Sequence, residues 1–117
     1  MPELLTPRLQ LRPPLGQDFD GWARLMADPE SARFIGGVQP RAAAWRGFLT
    51  MVGSWQIQGF GMFSVIERST GQWLGRIGPW QPEGWPGTEV GWGLLREAQG
   101  QGNAQEAAVA SIDWAYD

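Results

Sequence analysis

Gly91-Trp92-Gly93-Leu94-Leu95-Arg96-Glu97-Ala98-Gln99-Gly100-Gln101-Gly102-Asn103-Ala104-Gln105-Glu106-Ala107 carries the decisive pattern of this chain. Its first part completes a strand over residues 88–95. There Thr88, Val90, Trp92 and Leu94 share one face, and Glu89, Gly91, Gly93 and Leu95 the other. Alternating glycines in a strand mark a place where a ligand or another backbone comes close. A glycine-rich loop, residues 98–102, then opens a helix. The first N–H groups of a helix have no partner inside it, and the helix dipole is positive there. With glycines letting the backbone approach, such a place binds phosphate or diphosphate without a lysine. The plainer alternative is that Gly100 and Gly102 only shape a tight turn.

Upstream of this stretch, residues 62–67 and 72–80 read as two strands of a hairpin turning at Arg68-Ser69-Thr70-Gly71. Before them, Ala44, Phe48, Met51, Val52 and Trp55 recur at helical spacing over residues 40–58, with Pro40 in the first turn. Phe19, Trp22, Ala23 and Met26 give the stripe of a shorter helix, capped by Asp18 and ending at Asp28. Pro29 lies beyond it and residues 30–39 read as loop. Residues 4–12 read as one half-buried strand, stopped by Pro13-Pro14. Downstream, Ala104, Ala107, Ala108, Ser111, Ile112 and Ala115 form the inner stripe of the last helix. The order is β-α-α-β-β-β-α. It predicts an α+β, three-layer fold with a mixed, mainly antiparallel sheet flanked by helices.

The chain has 117 residues, the size of a single domain spanning 1–117. Apolar residues make up 43% and charged residues 18%, a globular rather than a disordered balance. Cysteine, histidine and lysine are all absent. That excludes disulfides, a thiol nucleophile, an imidazole base, a Schiff-base lysine and a thiolate metal site. Carboxylates, hydroxyls, arginine, one tyrosine, backbone amides and water remain for chemistry, and no metal is expected. Residues 1–58 hold six arginines against five acids, and residues 59–117 three against seven. The acidic second half disfavours nucleic acid and suits a cationic amine. Neither a transmembrane run nor a secretory start is present, so a cytoplasmic location is expected without membrane contact.

Two rival glycine motifs fail. A dinucleotide fingerprint needs a third glycine where Asn103-Ala104-Gln105 stands, and a P-loop needs a lysine. Residues 99–104, Gln-Gly-Gln-Gly-Asn-Ala, instead resemble the Gln/Arg-x-x-Gly-x-Gly/Ala motif of the GNAT N-acetyltransferases. Glu89-Val90-Gly91-Trp92 before it and Gln105-Glu106-Ala107 after it are similar to the branch acetylating ribosomal-protein N-termini and related amines. So is Thr6-Pro7-Arg8-Leu9-Gln10-Leu11-Arg12-Pro13. The element order also resembles the front of that family's fold.

The resemblance implies acetyl-coenzyme A as co-substrate. Backbone N–H groups of Gln99, Gly100, Gln101, Gly102, Asn103 and Ala104 would hold its diphosphate. Gly93, Leu94 and Leu95 would pair with its pantetheine arm, and a main-chain N–H there would polarise the thioester carbonyl. An acceptor amine, from a protein N-terminus or a small molecule, would attack directly with no covalent enzyme intermediate. Glu89 is the candidate general base; a solvated strand-end charge, or an acid that only attracts the amine, is the alternative. Phe34, Trp80 and Trp92 are candidate acceptor walls, together with Ile35-Gly36-Gly37 and Trp85. Arg76 and Arg96 read as surface residues, Asn103 as a helix cap, and Glu106 as a complement to the helix end that disfavours a nearby phosphate.

Relatives continue past this helix with strands that form one wall of the cleft and usually supply a tyrosine to protonate the thiolate. Tyr116 lies on the wrong helix for that role. The resemblance therefore predicts a fold whose C-terminal part is absent, with a raw edge at residues 88–95 and an underpacked last helix. A homodimer, or another chain, would complete it. The alternative function is a non-catalytic fragment or interaction module that oligomerises through that edge.

Overall fold

Pro7 has no N–H to give to a ladder, and the chain turns around it. Leu4–Leu5 (β1) and Leu9–Arg12 (β2) pair antiparallel across the turn, Leu4 opposite Leu11. The N–H of Thr6 reaches the Leu9 carbonyl at 2.9 Å, and the Leu9 N–H returns to Thr6 Oγ1 at 3.0 Å. The one strand read over residues 4–12 is therefore two. The computed structural model describes residues 2–33, 37–81, 84, 87 and 89–115, with Glu89 described in its backbone alone.

Phe19–Ala27 forms α1. Asp18 precedes it but does not cap it. Its carboxylate is buried and taken by Arg12, by Ser64 and by the N–H of Leu15. A one-turn helix, Pro29–Ala32 (α2), replaces loop. Asp28 is extended there and accepts from the Glu30 N–H at 2.9 Å, while Pro29 supplies a preset φ, so helix restarts at once. Arg41–Gln58 (α3) ends at Gly59, whose φ of 79° makes the left-handed cap that glycine favours.

Phe63–Glu67 (β3), Trp73–Trp80 (β4) and Glu89–Leu94 (β5) extend the sheet to the order β1-β2-β3-β4-β5, every neighbouring pair antiparallel. Asn103–Ala115 is α4. Leu9, Leu11, Phe63, Val65, Ile77 and Leu94 pack beneath α4. Phe19, Trp22 and Met26 of α1 pack with Phe48 and Met51 of α3 and with Met62 in a second cluster. The result is the three-layer α+β arrangement that the element order predicts. One detail of α4 differs. Its buried line runs through Asn103, Ala107 and Ser111 towards Trp114, leaving Ile112 40% exposed. Trp114 sets its ring 5.3 Å from Phe63 and 5.5 Å from Trp55, and ring pairs of this kind add about 0.5–1.5 kcal/mol beyond burial. Among the described residues, no helix is long and apolar enough to cross a membrane.

Candidate functional site

β5 is the last strand of the sheet. At its end the N–H of Leu95 is spent on the Leu74 carbonyl at 2.8 Å. Backbone groups of an antiparallel strand alternate in direction, so those of Leu94 and Trp92 face the free edge. The Leu94 carbonyl does so visibly, accepting from Gln99 Nε2 at 3.0 Å. Arg96–Ala98 then makes one turn of 3-10 helix, and the loop carrying Gly100 and Gly102 rises to α4. Both glycines have positive φ, 76° and 79°, which a side-chain-bearing residue adopts only under strain.

Glu106 is the first residue whose N–H reaches back along α4, to the Gly102 carbonyl at 3.1 Å. The N–H groups of Gly100, Gln101, Gly102, Asn103, Ala104 and Gln105 have no protein acceptor among the described residues. All but Gln101 of these residues line a cavity of about 470 Å³, whose other walls are Trp92, Gly93 and Leu94 of β5, Gln99, and Glu30, Ser31 and Arg33 around α2. A row of unspent donors at a helix start facing a cavity suits an anion with several oxygens.

Two sets of contacts hold this loop. Asn103 does not cap α4; it is buried and its Nδ2 donates to the Ala98 carbonyl at 3.1 Å, closing the loop on itself. Arg8, 98 positions away in sequence, donates through Nε to Glu106 at 2.8 Å and through Nη1 to the Gln101 carbonyl at 2.8 Å. Thr6 Oγ1 also donates to Glu106. Burial raises the pKa of Glu106, but the hydrogen bonds from Thr6 and Arg8 outweigh it and the net direction is downward. Glu106 is thus paired with a cation, which removes the conflict with a phosphate at this helix end. No local sequence signal marks Arg8 as a site residue, because only the folded turn at Pro7 brings it here.

The α1–α2 region is tied to the turn after β5 by two ion pairs, Arg96 with Asp28 at 2.6 Å and Arg24 of α1 with Glu97. The hydrogen bond from Arg96 holds the Asp28 carboxyl below the usual range. Arg96 is exposed, as read from the sequence. Arg76 is half-buried rather than exposed. It lies over the Trp22 ring at 4.5 Å, and withdrawal from water lowers its pKa to about 10.

Gly93, Leu94, Gln99, Gly100, Gly102, Asn103, Ala104 and Trp92 share the cavity, and Trp92 is 56% exposed beside it. Leu95 is buried with its N–H committed, so it has no donor for a ligand. Gln101 sits on the loop but outside the cavity lining. Trp80 lies in a different groove, with Thr50, Ser54 and Ile57 of α3. Glu89 opens β5 opposite Trp80, its side chain outside the described residues. Phe34, Ile35, Gly36, Trp85 and Tyr116 also lie outside them.

Residues 8–117 match a family model described as an acetyltransferase (GNAT) domain. The whole chain superposes on an acetyltransferase from Agrobacterium tumefaciens with a TM-score of 0.91 and 35% identity, covering 68% of that protein's chain. A GnaT-family protein from Bordetella pertussis gives 0.84 at 23% identity, with 99% of this chain and 73% of that one covered. A GNAT-family acetyltransferase from Bacillus anthracis gives 0.82 at 21% identity, with 98% and 66% covered. The last two likenesses concern the fold alone. The chain spans about two-thirds of the length of these solved structures.

Proposed function

Since this chain belongs to the GNAT acetyltransferase family, we propose that it binds acetyl-coenzyme A beside β5 and moves the acetyl group to a primary amine. The observation that carries this is the set of unspent amides of Gly100 and of Gly102 to Gln105 along the cavity. These amides would hold the diphosphate, with Arg8 bracing the loop from behind through Gln101. The free-edge backbone groups of Trp92 and Leu94 would pair with the extended pantetheine arm and give the N–H that polarises the thioester carbonyl. When bound, acetyl-coenzyme A supplies the acetyl group as an activated thioester. Glu89, at the start of β5, would take the proton from the acceptor ammonium, directly or through water, freeing the nitrogen lone pair. The acceptor is a protein N-terminus, as in the ribosomal-protein branch, or a small amine. None of these roles requires cysteine, histidine, lysine or a metal, and a cytoplasmic location goes with the substrate.

Calorimetric titration with coenzyme A tests this. Wild type should bind one equivalent. Gly100→Glu, whose Cβ meets nothing within 4 Å, should abolish binding by charge and bulk, while Gly100→Ala, equally strained at φ 76° but uncharged, should keep most of it. Equal behaviour of wild type and Gly100→Glu would remove the loop from the site.

A second reading rests on β5 being the sheet's edge, with Trp92 exposed on it. In that reading the chain pairs edges with a second copy or another chain and catalyses nothing. A solution mass of a stable dimer that ignores coenzyme A would favour it.

A further inference from the structure

Three walls enclose the cavity. β5 offers an edge suited to a pantetheine arm, and the start of α4 offers amides suited to a diphosphate. The third wall, Glu30, Ser31 and Arg33, belongs to α2 and its end. It is fixed to the other two. Asp28 caps α2 through the Glu30 N–H at 2.9 Å and also accepts from Arg96 at 2.6 Å. Ser31 is buried, and its Oγ accepts from Gln99 Nε2 at 3.4 Å. Ala32 is buried, and its carbonyl accepts from the Gly37 N–H at 2.9 Å. Arg33 thus carries an exposed side chain on an anchored backbone. Among the described residues lining the cavity, Arg33 is the only cation and Glu30 the only anion. The two stand 3.6 Å apart, outside good hydrogen-bond range, whereas the pairs made by Arg8, Arg41 and Arg96 close to 2.8, 2.6 and 2.6 Å. Both partners are more than half exposed, so this pair is worth little and yields to a better anion.

We propose that Arg33 receives the 3′-phosphate of coenzyme A and makes the chain select coenzyme A over its 3′-dephospho form. This rests on the acetyl-coenzyme A reading above and adds a specificity-determining residue to the same site. The parts of the coenzyme run in the order pantetheine, diphosphate, phosphorylated ribose. With the first two on β5 and the start of α4, the ribose phosphate falls to the α2 wall, where the cavity's cation stands. The diphosphate needs only the dipolar amides. The 3′-phosphate is a monoester, with a charge of about −1.5 to −2 at neutral pH and three acceptor oxygens. A guanidinium pairs with two of those oxygens at once. Glu30 repels the same phosphate, so binding exchanges the long, solvent-screened contact of Arg33 with Glu30 for a charge-assisted, two-pronged one.

Calorimetry with coenzyme A and with 3′-dephosphocoenzyme A tests this. The wild-type chain should prefer coenzyme A by about tenfold or more. Arg33→Met should weaken coenzyme A to the level of the dephospho form and hold the dephospho form within about twofold of wild type. That second value also reports that the variant is folded. Arg33→Lys should keep part of the preference, since it keeps the charge and loses the fork. Glu30→Gln should tighten coenzyme A alone, by removing the opposing carboxylate. A wild type that binds both ligands equally overturns the proposal. So does equal weakening of both ligands in Arg33→Met and Arg33→Lys, which would put Arg33 on the diphosphate. Failure of the parent reading is separate: wild type then binds neither ligand.

Discussion

Arg76 lies against Trp22, and Glu89 is the proposed base. The pKa of Arg76 is lowered to about 10 because burial disfavours its charged form. A lowered basic group costs stability at every pH below its folded pKa, and the cost fades only as pH rises above about 10. That displacement corresponds to about 3 kcal/mol. The cation–π contact with Trp22 returns only about 0.5–2 kcal/mol. Arg76→Met keeps the aliphatic stem and removes the charge, so its Tm should equal or exceed wild type; a fall of more than about 5 °C would contradict the sign. Glu89→Gln should lower kcat by about 10²–10⁴-fold while coenzyme A affinity stays within about twofold. Unchanged turnover across pH would take Glu89 out of the base role.

The elements that place these residues depend on β4 and β5 lying close. At Gly75 a Cβ would stand 2.2 Å from the Gly93 carbonyl oxygen and 2.8 Å from the Leu94 Cα, and both are backbone atoms that cannot step aside. Gly75→Ala should therefore wedge the strands apart, lowering Tm by about 5–10 °C for a cost of about 1–3 kcal/mol. Gly47→Ala, in α3 with nothing within 4 Å, should instead hold or raise Tm, which separates wedging from a general glycine effect. This scale also divides what the sequence makes visible from what it hides. The loop of Gly100 and Gly102 and the start of α4 are legible because glycine spacing and a helix start are local. Asp28-Pro29-Glu30 held an equally local signal for α2, and Pro7 one for the β1–β2 turn; both were outweighed by broader patterns. The fate of Asp18, Arg8 and Arg76 was not legible. Each is decided by a partner reached only through the fold: Ser64, 46 positions from Asp18, Glu106, 98 positions from Arg8, and Trp22, which α1 lays over β4.

For the molecule as a whole, ion pairs join distant parts of the chain around the cavity. Arg8–Glu106 joins the first turn to α4, and Arg24–Glu97 and Arg96–Asp28 join the α1–α2 region to the turn after β5. All three carboxyls have lowered pKa values: Asp28 chiefly through Arg96, Glu97 through a hydrogen bond from its own backbone and then Arg24, and Glu106 through Thr6 and Arg8 against its burial. A depressed carboxyl contributes stability that is present above its unfolded pKa and lost as pH falls through its folded one. Thermal stability should then decline below the unfolded values of 3.8 for Asp and 4.5 for Glu, with a smaller decline in Glu106→Gln. Parallel declines in the two proteins would exclude Glu106 from the acid response.

The central claim is that amides left unspent at the start of α4 grip a diphosphate. The direct measurement is a ¹H–¹⁵N titration of the wild-type chain with coenzyme A, paired with pantetheine, which lacks the diphosphate. The account predicts large, saturable shifts of the Gly100, Gly102, Asn103 and Ala104 amides with coenzyme A and little movement of them with pantetheine. Saturation by coenzyme A that leaves those four resonances in place would contradict it.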